Sequence, residues 1–153
     1  MSEPRKTPVI VVADDTAADR KLTVMAFRNA LLHNPIHEVK DGEELMHYLR
    51  REGAYAGKRV DHEPCLILLD LNMPRKSGLE ALAEIKGDPL LRHIPVIILT
   101  TSKAEEDIVR SYQLGVNSFI TKPVHFDEFL LAIRKLGQYW LELVALPPED
   151  PRP

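Results

Sequence analysis

Five short apolar runs, each closing on or leading into polar residues, constrain this chain more than any other feature of its sequence. Val9-Ile10-Val11-Val12-Ala13 runs into Asp14-Asp15, and Cys65-Leu66-Ile67-Leu68-Leu69 ends in Asp70. Pro95-Val96-Ile97-Ile98-Leu99 ends in Thr100. Two shorter segments, Ile36 to Lys40 and Ser118 to Thr121, complete the set, the second followed by Lys122-Pro123. The long runs do not alternate apolar with polar. Strands of that kind are buried on both faces, as in a parallel sheet clad with helices.

The intervening segments read as helices. Ala17 to Leu32 places Leu22, Met25, Ala26, Asn29 and Leu32 at helical spacing, and Asn34-Pro35 stops it. Glu43 to Arg51 follows an Asp41-Gly42 turn with Leu45, Met46 and Leu49 inward. Residues 52–64 are charged, contain glycine and lack an apolar period, so they read as a long surface loop. Gly78 to Lys86 and Ala104 to Leu114 are the third and fourth helices, the latter closed by Gly115. From His125 the helical period runs through Phe126, Phe129, Leu130, Ile133, Leu136, Trp140 and Val144, longer than the usual three turns or so. Pro147 to Pro153 is an acidic, proline-rich tail and is expected to be disordered. Five strands alternating with five helices make an α/β domain, which binds ligands at the carboxyl ends of its strands.

Composition narrows the function. The 153 residues suit one domain, and 44% hydrophobic with 28% charged residues is an ordinary globular balance. A net charge of −3 and the lack of a long Lys/Arg run argue against nucleic-acid binding. Met1 to Pro8 is polar, neither a secretory signal nor a membrane span, so a cytoplasmic location is expected. Cys65 is the single cysteine, which excludes an internal disulfide and a cysteine-based zinc site. It is expected to serve as a small buried hydrophobe.

The polar residues that close the strands carry the chemistry. In a parallel sheet Asp14, Asp15, Asp70, Thr100 and Lys122 all fall at one edge. Any one aspartate there has an ordinary use as a helix N-cap, Asp15 above all, and a lysine after a strand is ordinarily solvated. The conjunction is what points to a site. Three carboxylates drawn together repel one another, and a divalent cation relieves that repulsion. Mg²⁺ fits, being hard and content with one or two carboxylates plus water and phosphate. With a cation and Lys122 present such a cleft accepts a phosphoryl group, and Asp70 is the candidate nucleophile.

These residues resemble the bacterial response-regulator receiver domain. The matching pieces are Ala13-Asp14-Asp15, Leu69-Asp70-Leu71-Asn72-Met73-Pro74 with Gly78, Val96-Ile97-Ile98-Leu99-Thr100, and Thr121-Lys122-Pro123. The long loop after the second helix, Thr100-Thr101-Ser102, Ser111-Tyr112 and the extension with Trp140 look like the small phytochrome-associated response regulators. The resemblance implies a flavodoxin-like, doubly wound five-stranded parallel sheet with five helices, in strand order 2-1-3-4-5. It implies a receiver domain over residues 7–136, with 137–153 a helical extension and tail. Asp70 would accept the phosphoryl group from a sensor histidine kinase, of phytochrome type in the narrower resemblance. Asp15, Asp70 and the backbone carbonyl of Asn72 would ligate Mg²⁺, and Asp14 would hold it through water. Lys122 would pair with the phosphate, across a cis bond to Pro123, and Thr100 would turn its hydroxyl to a phosphoryl oxygen. Phosphorylation and dephosphorylation of itself would be the only chemistry, with no wider enzymatic activity. Phe119 takes the aromatic switch position, where tyrosine is frequent; lacking a hydroxyl, it offers either a packing switch or plain core.

Other readings weigh less. Of the six histidines, His33 and His37 are four apart but separated by Pro35, and His47, His62, His93 and His125 show no ligand spacing. A phosphohydrolase of the haloacid-dehalogenase type would also use an aspartyl nucleophile, but it needs an acid two residues later, where this chain has Asn72. A receiver-like interaction module that is never phosphorylated would be expected to lack some of these acidic residues or Lys122. Arg75-Lys76 reads as solvated, or as a help in meeting a kinase. No helix-turn-helix pattern follows residue 125, so output is expected through protein contacts rather than DNA. Trp140, Leu141, Leu143 and Val144 in the extension are expected to form a homodimer interface with the fifth helix.

Overall fold

The structure, a computed structural model, describes residues 7–30, 32–57, 62–100, 102–111, 115–116, 118–121, 127–128, 130–131 and 134. The elements run β1 (Thr7–Ala13), α1 (Ala17–Asn29), β2 (Ile36–Val39), α2 (Gly42–Arg50), a 3-10 turn (Gly53–Tyr55), β3 (His62–Asp70), α3 (Gly78–Gly87), β4 (Val96–Thr100), α4 (Lys103–Ser111) and β5 (Ser118–Thr121). All strand pairs are parallel, in the order β2-β1-β3-β4-β5. This is the expected flavodoxin-like architecture. Asp127, Glu128, Leu130, Leu131 and Arg134 are helical, where the fifth helix is expected. The rest of that helix, the extension and the tail lie outside the described residues.

The unbroken apolar runs are explained by two cores, one on each face of the sheet. Val9, Val11, Ala13, Ile67, Leu69, Val96 and Ile98 point to one side, where Leu45, Met46, Leu82, Ile85 and Val109 of α2, α3 and α4 cover them. Ile10, Val12, Leu66, Leu68 and Ile97 point to the other, against Ala26, Phe27 and Leu32. The period of two is present, but both phases are apolar because both faces are buried.

Three local expectations are revised. First, β3 begins at His62 rather than Cys65, pairing with the start of β1. Val9 faces Pro64 and Ile10 faces Leu66, so Cys65 is the extra residue of a bulge. A proline cannot donate to a ladder and is tolerated beside such an irregularity, which is why Pro64 looked like loop. Cys65 is accordingly only partly buried, packed at the margin of the second core. Second, α1 ends at Asn29 and is rotated from the face that Leu22, Met25 and Asn29 suggested: Thr23, Ala26 and Phe27 are its buried residues, while Met25 is 48% exposed. Phe27 is the largest apolar side chain of the helix, and its burial sets the rotation. Third, α2 buries Tyr48 along with Leu45 and Met46, leaving Leu49 partly buried.

Candidate functional site

Among the described strand ends, Asp14, Asp15 and Asp70 come together, and local hydrogen bonds fix Asp14 and Asp70. Asp14 extends the ladder by one residue, its N–H donating to the Val39 carbonyl at 3.1 Å. Its Oδ1 then accepts from the Thr16 N–H at 3.0 Å, an aspartate turn that leads the chain from β1 into α1. The carbonyl of Asp14 accepts from Arg20 Nη1 at 2.8 Å, and Arg20 Nε donates to Glu38 Oε1 at 3.1 Å, so α1 clamps this turn. Asp15 is exposed and does not cap α1, whose N-cap is Thr16 with no side-chain capping bond.

Asp70 is the last residue of β3, opposite Leu99 of β4. Its Oδ1 accepts from the Asn72 N–H at 3.0 Å. Directly beneath it, Gly78 opens α3 and donates its N–H to the Leu71 carbonyl at 3.0 Å. A Cβ on Gly78 would stand 2.2 Å from the Asp70 carbonyl oxygen, so only glycine lets α3 close this tightly under the strand end. The helix is started by a capping box between Ser77 and Glu80.

The loop between β3 and α3 is tied to α2 and α3. Arg75 adopts a positive φ of 67° and lies 3.6 Å from Asp41 Oδ2 and 3.6 Å from Glu43 Oε1. Asp41 also caps α2, accepting from the Glu44 N–H at 2.7 Å. Lys76 pairs with Glu84, which also accepts from Arg50 at 3.0 Å; the hydrogen bond from Lys76 and the two cations hold the Glu84 carboxyl below its ordinary range. Gly42 donates to the Lys76 carbonyl at 3.0 Å, and a Cβ there would come 2.2 Å from that oxygen. Arg75 is thus solvated as expected, its ion pairs lying at the surface with the side chain 63% exposed, while the half-buried Lys76 is tied to Glu84.

Among the described residues, the one cluster of potential metal ligands is Asp14, Asp15 and Asp70, whose ligand atoms lie within 4.8 Å of one another. Asp14 is 1% and Asp70 3% exposed. Two such buried charges repel by roughly 3 kcal/mol or more at an effective dielectric of about 20. An all-oxygen, carboxylate-rich set of this kind fits a hard divalent cation. One step along β4 from Leu99 stands Thr100, fully buried. Its hydroxyl is a buried side-chain oxygen with no hydrogen-bond partner among the described residues. Phe119 of β5 is half-buried against the core on the α2–α3–α4 side, and the Arg110 guanidinium of α4 lies 4.5 Å from its ring centre. That contact makes the ring a link between β5 and α4.

Lys122, Pro123 and their peptide bond, and Trp140, Leu141, Leu143 and Val144, lie outside the described residues. Sequence reasoning missed Arg20 at the Asp14 carbonyl. It also missed Glu105 of α4, whose Oε2 accepts from Asn72 Nδ2 at 3.1 Å. Nothing in the local sequence marks either, because each partner lies on a different element.

Comparison with known proteins identifies the fold and the family. The family model of the response regulator receiver domain matches residues 10–134. Response regulator Rcp1 of Synechocystis sp. is 38% identical over 148 residues, covering 96% of this chain and 99% of that protein. The crystal structure of the phosphorylated cyanobacterial phytochrome response regulator RcpA is 42% identical, with a TM-score of 0.76 over 94% of this chain and 99% of that one. The Mn²⁺-bound form of Rcp1 has a TM-score of 0.75 over 91% of this chain and 98% of its own. With more than half its length matched by one family model and relatives of similar length on both counts, the chain belongs to the response regulator receiver domain family.

Proposed function

We propose that this receiver is a phosphoacceptor switch in which Asp70 takes a phosphoryl group from the phosphohistidine of a sensor kinase, with Mg²⁺ held by Asp15, Asp70 and the Asn72 carbonyl, and by Asp14 through water. The observation that carries the reading is the convergence of three carboxylates within 4.8 Å at the sheet edge where Thr100 ends β4, its buried hydroxyl without a hydrogen-bond partner among the described residues. A cation at this position supplies neutralisation for the carboxylates and for the oxygens of an incoming phosphoryl group. Asp70 attacks phosphorus through a carboxylate oxygen; the bond to the histidine nitrogen breaks, and that nitrogen keeps the electron pair. The Asn72 N–H, donating to Asp70 Oδ1, fixes the carboxylate's rotation. Thr100 then donates its hydroxyl to a phosphoryl oxygen, and Lys122 supplies a positive partner for the phosphate. The phosphohydrolase alternative lacks its acid–base group, since Asn72 transfers no proton and its amide is engaged with Glu105.

The phytochrome response regulators among its relatives support a phytochrome-type kinase as donor. Phosphorylation and dephosphorylation of Asp70 are its only chemistry, and the output is a change of protein contacts. Trp140, Leu141, Leu143 and Val144 supply a homodimer contact in which residues 137–153 extend the receiver of residues 7–136. Sedimentation of the full chain as a monomer at micromolar concentration, with and without phosphorylation, overturns that assembly.

The central test is incubation with acetyl phosphate and Mg²⁺. A hydroxylamine-labile adduct of about 80 Da, one phosphoryl unit, should appear on Asp70 and be absent from Asp70→Asn. Undiminished labelling of that variant refutes the reading.

A further inference from the structure

Asn72 is exposed, yet it is held from both ends. Its backbone N–H donates to Asp70 Oδ1 at 3.0 Å, and its side-chain Nδ2 donates to Glu105 Oε2 at 3.1 Å. Glu105 comes from α4, 33 positions along the chain. Its own backbone is fixed in turn, the N–H donating to Ser102 Oγ at 3.2 Å at the start of that helix. A chain of hydrogen bonds thus runs from the nucleophile through Asn72 and Glu105 to Ser102. It joins the end of β3 to the start of α4 on the helix that follows Thr100.

We propose that Glu105 is a positioning residue for the phosphoacceptor loop, holding Asn72 so that its N–H stays on Asp70 and its carbonyl is presented to the cation. The proposal rests on the Mg²⁺-dependent reading of the site. A loop residue ordered before the cation arrives has less freedom to lose on binding, so the cation binds more tightly. The carboxylate also attracts a cation simply by its charge, and the two effects are separable. Glu105→Gln keeps a side-chain oxygen of the same reach that accepts from Asn72, and removes only the charge. Glu105→Ala removes both.

Two measurements on the full chain decide the matter: Mg²⁺ titration by calorimetry, and amide hydrogen exchange at Asn72 without metal. Glu105→Ala should bind Mg²⁺ about threefold more weakly and exchange its Asn72 amide faster by a similar factor. Glu105→Gln should stay near the unaltered chain in both. Adding Glu105→Ala to Asn72→Ala should cost less than Glu105→Ala alone, because the tie is already cut. Loss of Mg²⁺ affinity in Glu105→Gln equal to that in Glu105→Ala overturns the proposal in favour of bare charge. So does an unchanged exchange rate at Asn72 in Glu105→Ala. If the unaltered chain binds no Mg²⁺ and takes no phosphoryl group, the parent reading falls and the cation half of this proposal with it; the exchange measurement, which needs no metal, still decides the tie.

Discussion

Thr100 shows how a single residue can be costly to the fold and useful to the site. Its hydroxyl is buried without a hydrogen-bond partner among the described residues. A buried polar group left unsatisfied is destabilising, and such costs gather where function requires them. Thr100→Val keeps the shape and removes the hydroxyl. It should raise stability of the metal-free chain by about 1 kcal/mol in urea unfolding, while slowing phosphoryl uptake from acetyl phosphate. Lower stability in Thr100→Val would show that the hydroxyl is satisfied in solution and not waiting for a phosphoryl oxygen. Cys65 gives a second prediction at this scale. Burial pushes its thiol up to about 11, so little thiolate exists near neutrality. Alkylation of the native chain at pH 8 should therefore run far slower than that of the urea-unfolded chain; equal rates would place the thiol in solvent. The aspartates and Thr100 were legible in the sequence because each closes an apolar run, and the edge of a parallel sheet collects such residues. Glu105 and Arg20 were not, because their partners are set by packing between elements.

Among the elements, β2 and α2 build a feature that the sequence does not announce. The His37 ring stacks on Tyr48 with centroids 4.0 Å apart, and Tyr55 packs edge-on to both rings. His37 Nε2 lies 2.9 Å from the Tyr55 hydroxyl, which donates to Glu44 Oε2 at 3.2 Å. The Arg51 guanidinium covers the outer face of Tyr48 at 4.8 Å. Residues 52–64 read as structureless because they lack an apolar period; the 3-10 turn at Gly53–Tyr55 is held by one aromatic side chain, which leaves no period to detect. Desolvation by burial lowers the His37 pKa, with Arg51 adding to it against the pull of Glu44 and Glu38. The folded state thus disfavours the imidazolium. Stability from this group is fully present above the unfolded pKa of about 6.5 and declines as pH falls below it, when the unfolded chain takes the proton first. His37→Phe keeps a ring over Tyr48 and cannot titrate. Its urea-unfolding free energy should fall less steeply than that of the unaltered chain between pH 7 and pH 5. Parallel pH profiles would show that the ring is protonated equally well in both states.

For the molecule as a whole, the order of elements was legible because burial on both faces of the sheet forces continuous apolar strands and amphipathic crossovers. The strand order came with the family resemblance, and the sheet itself follows it. What the sequence left open was how helices rotate on the sheet, as in α1, where Phe27 rather than Met25 turns inward. The same architecture makes the site a source of tension for the entire domain, since the two faces of the sheet bring Asp14 and Asp70, both buried, to one edge. A cation bound only by the native state stabilises it by mass action. At ten times its dissociation constant Mg²⁺ should add about 1.4 kcal/mol, or a rise of roughly 3–5 °C in melting temperature for a domain near this size. Asp15→Ala should abolish that rise. It should also melt no lower than the unaltered chain without metal, because one of three mutually repelling carboxylates is gone and the side chain removed is an exposed one. Asp14→Ala should retain part of the Mg²⁺ response but melt lower without metal, because it breaks the 3.0 Å bond that turns β1 into α1. A melting temperature indifferent to Mg²⁺ in the unaltered chain, or an Mg²⁺ response undiminished in Asp15→Ala, would mean that the acidic edge of the sheet is not where the cation sits.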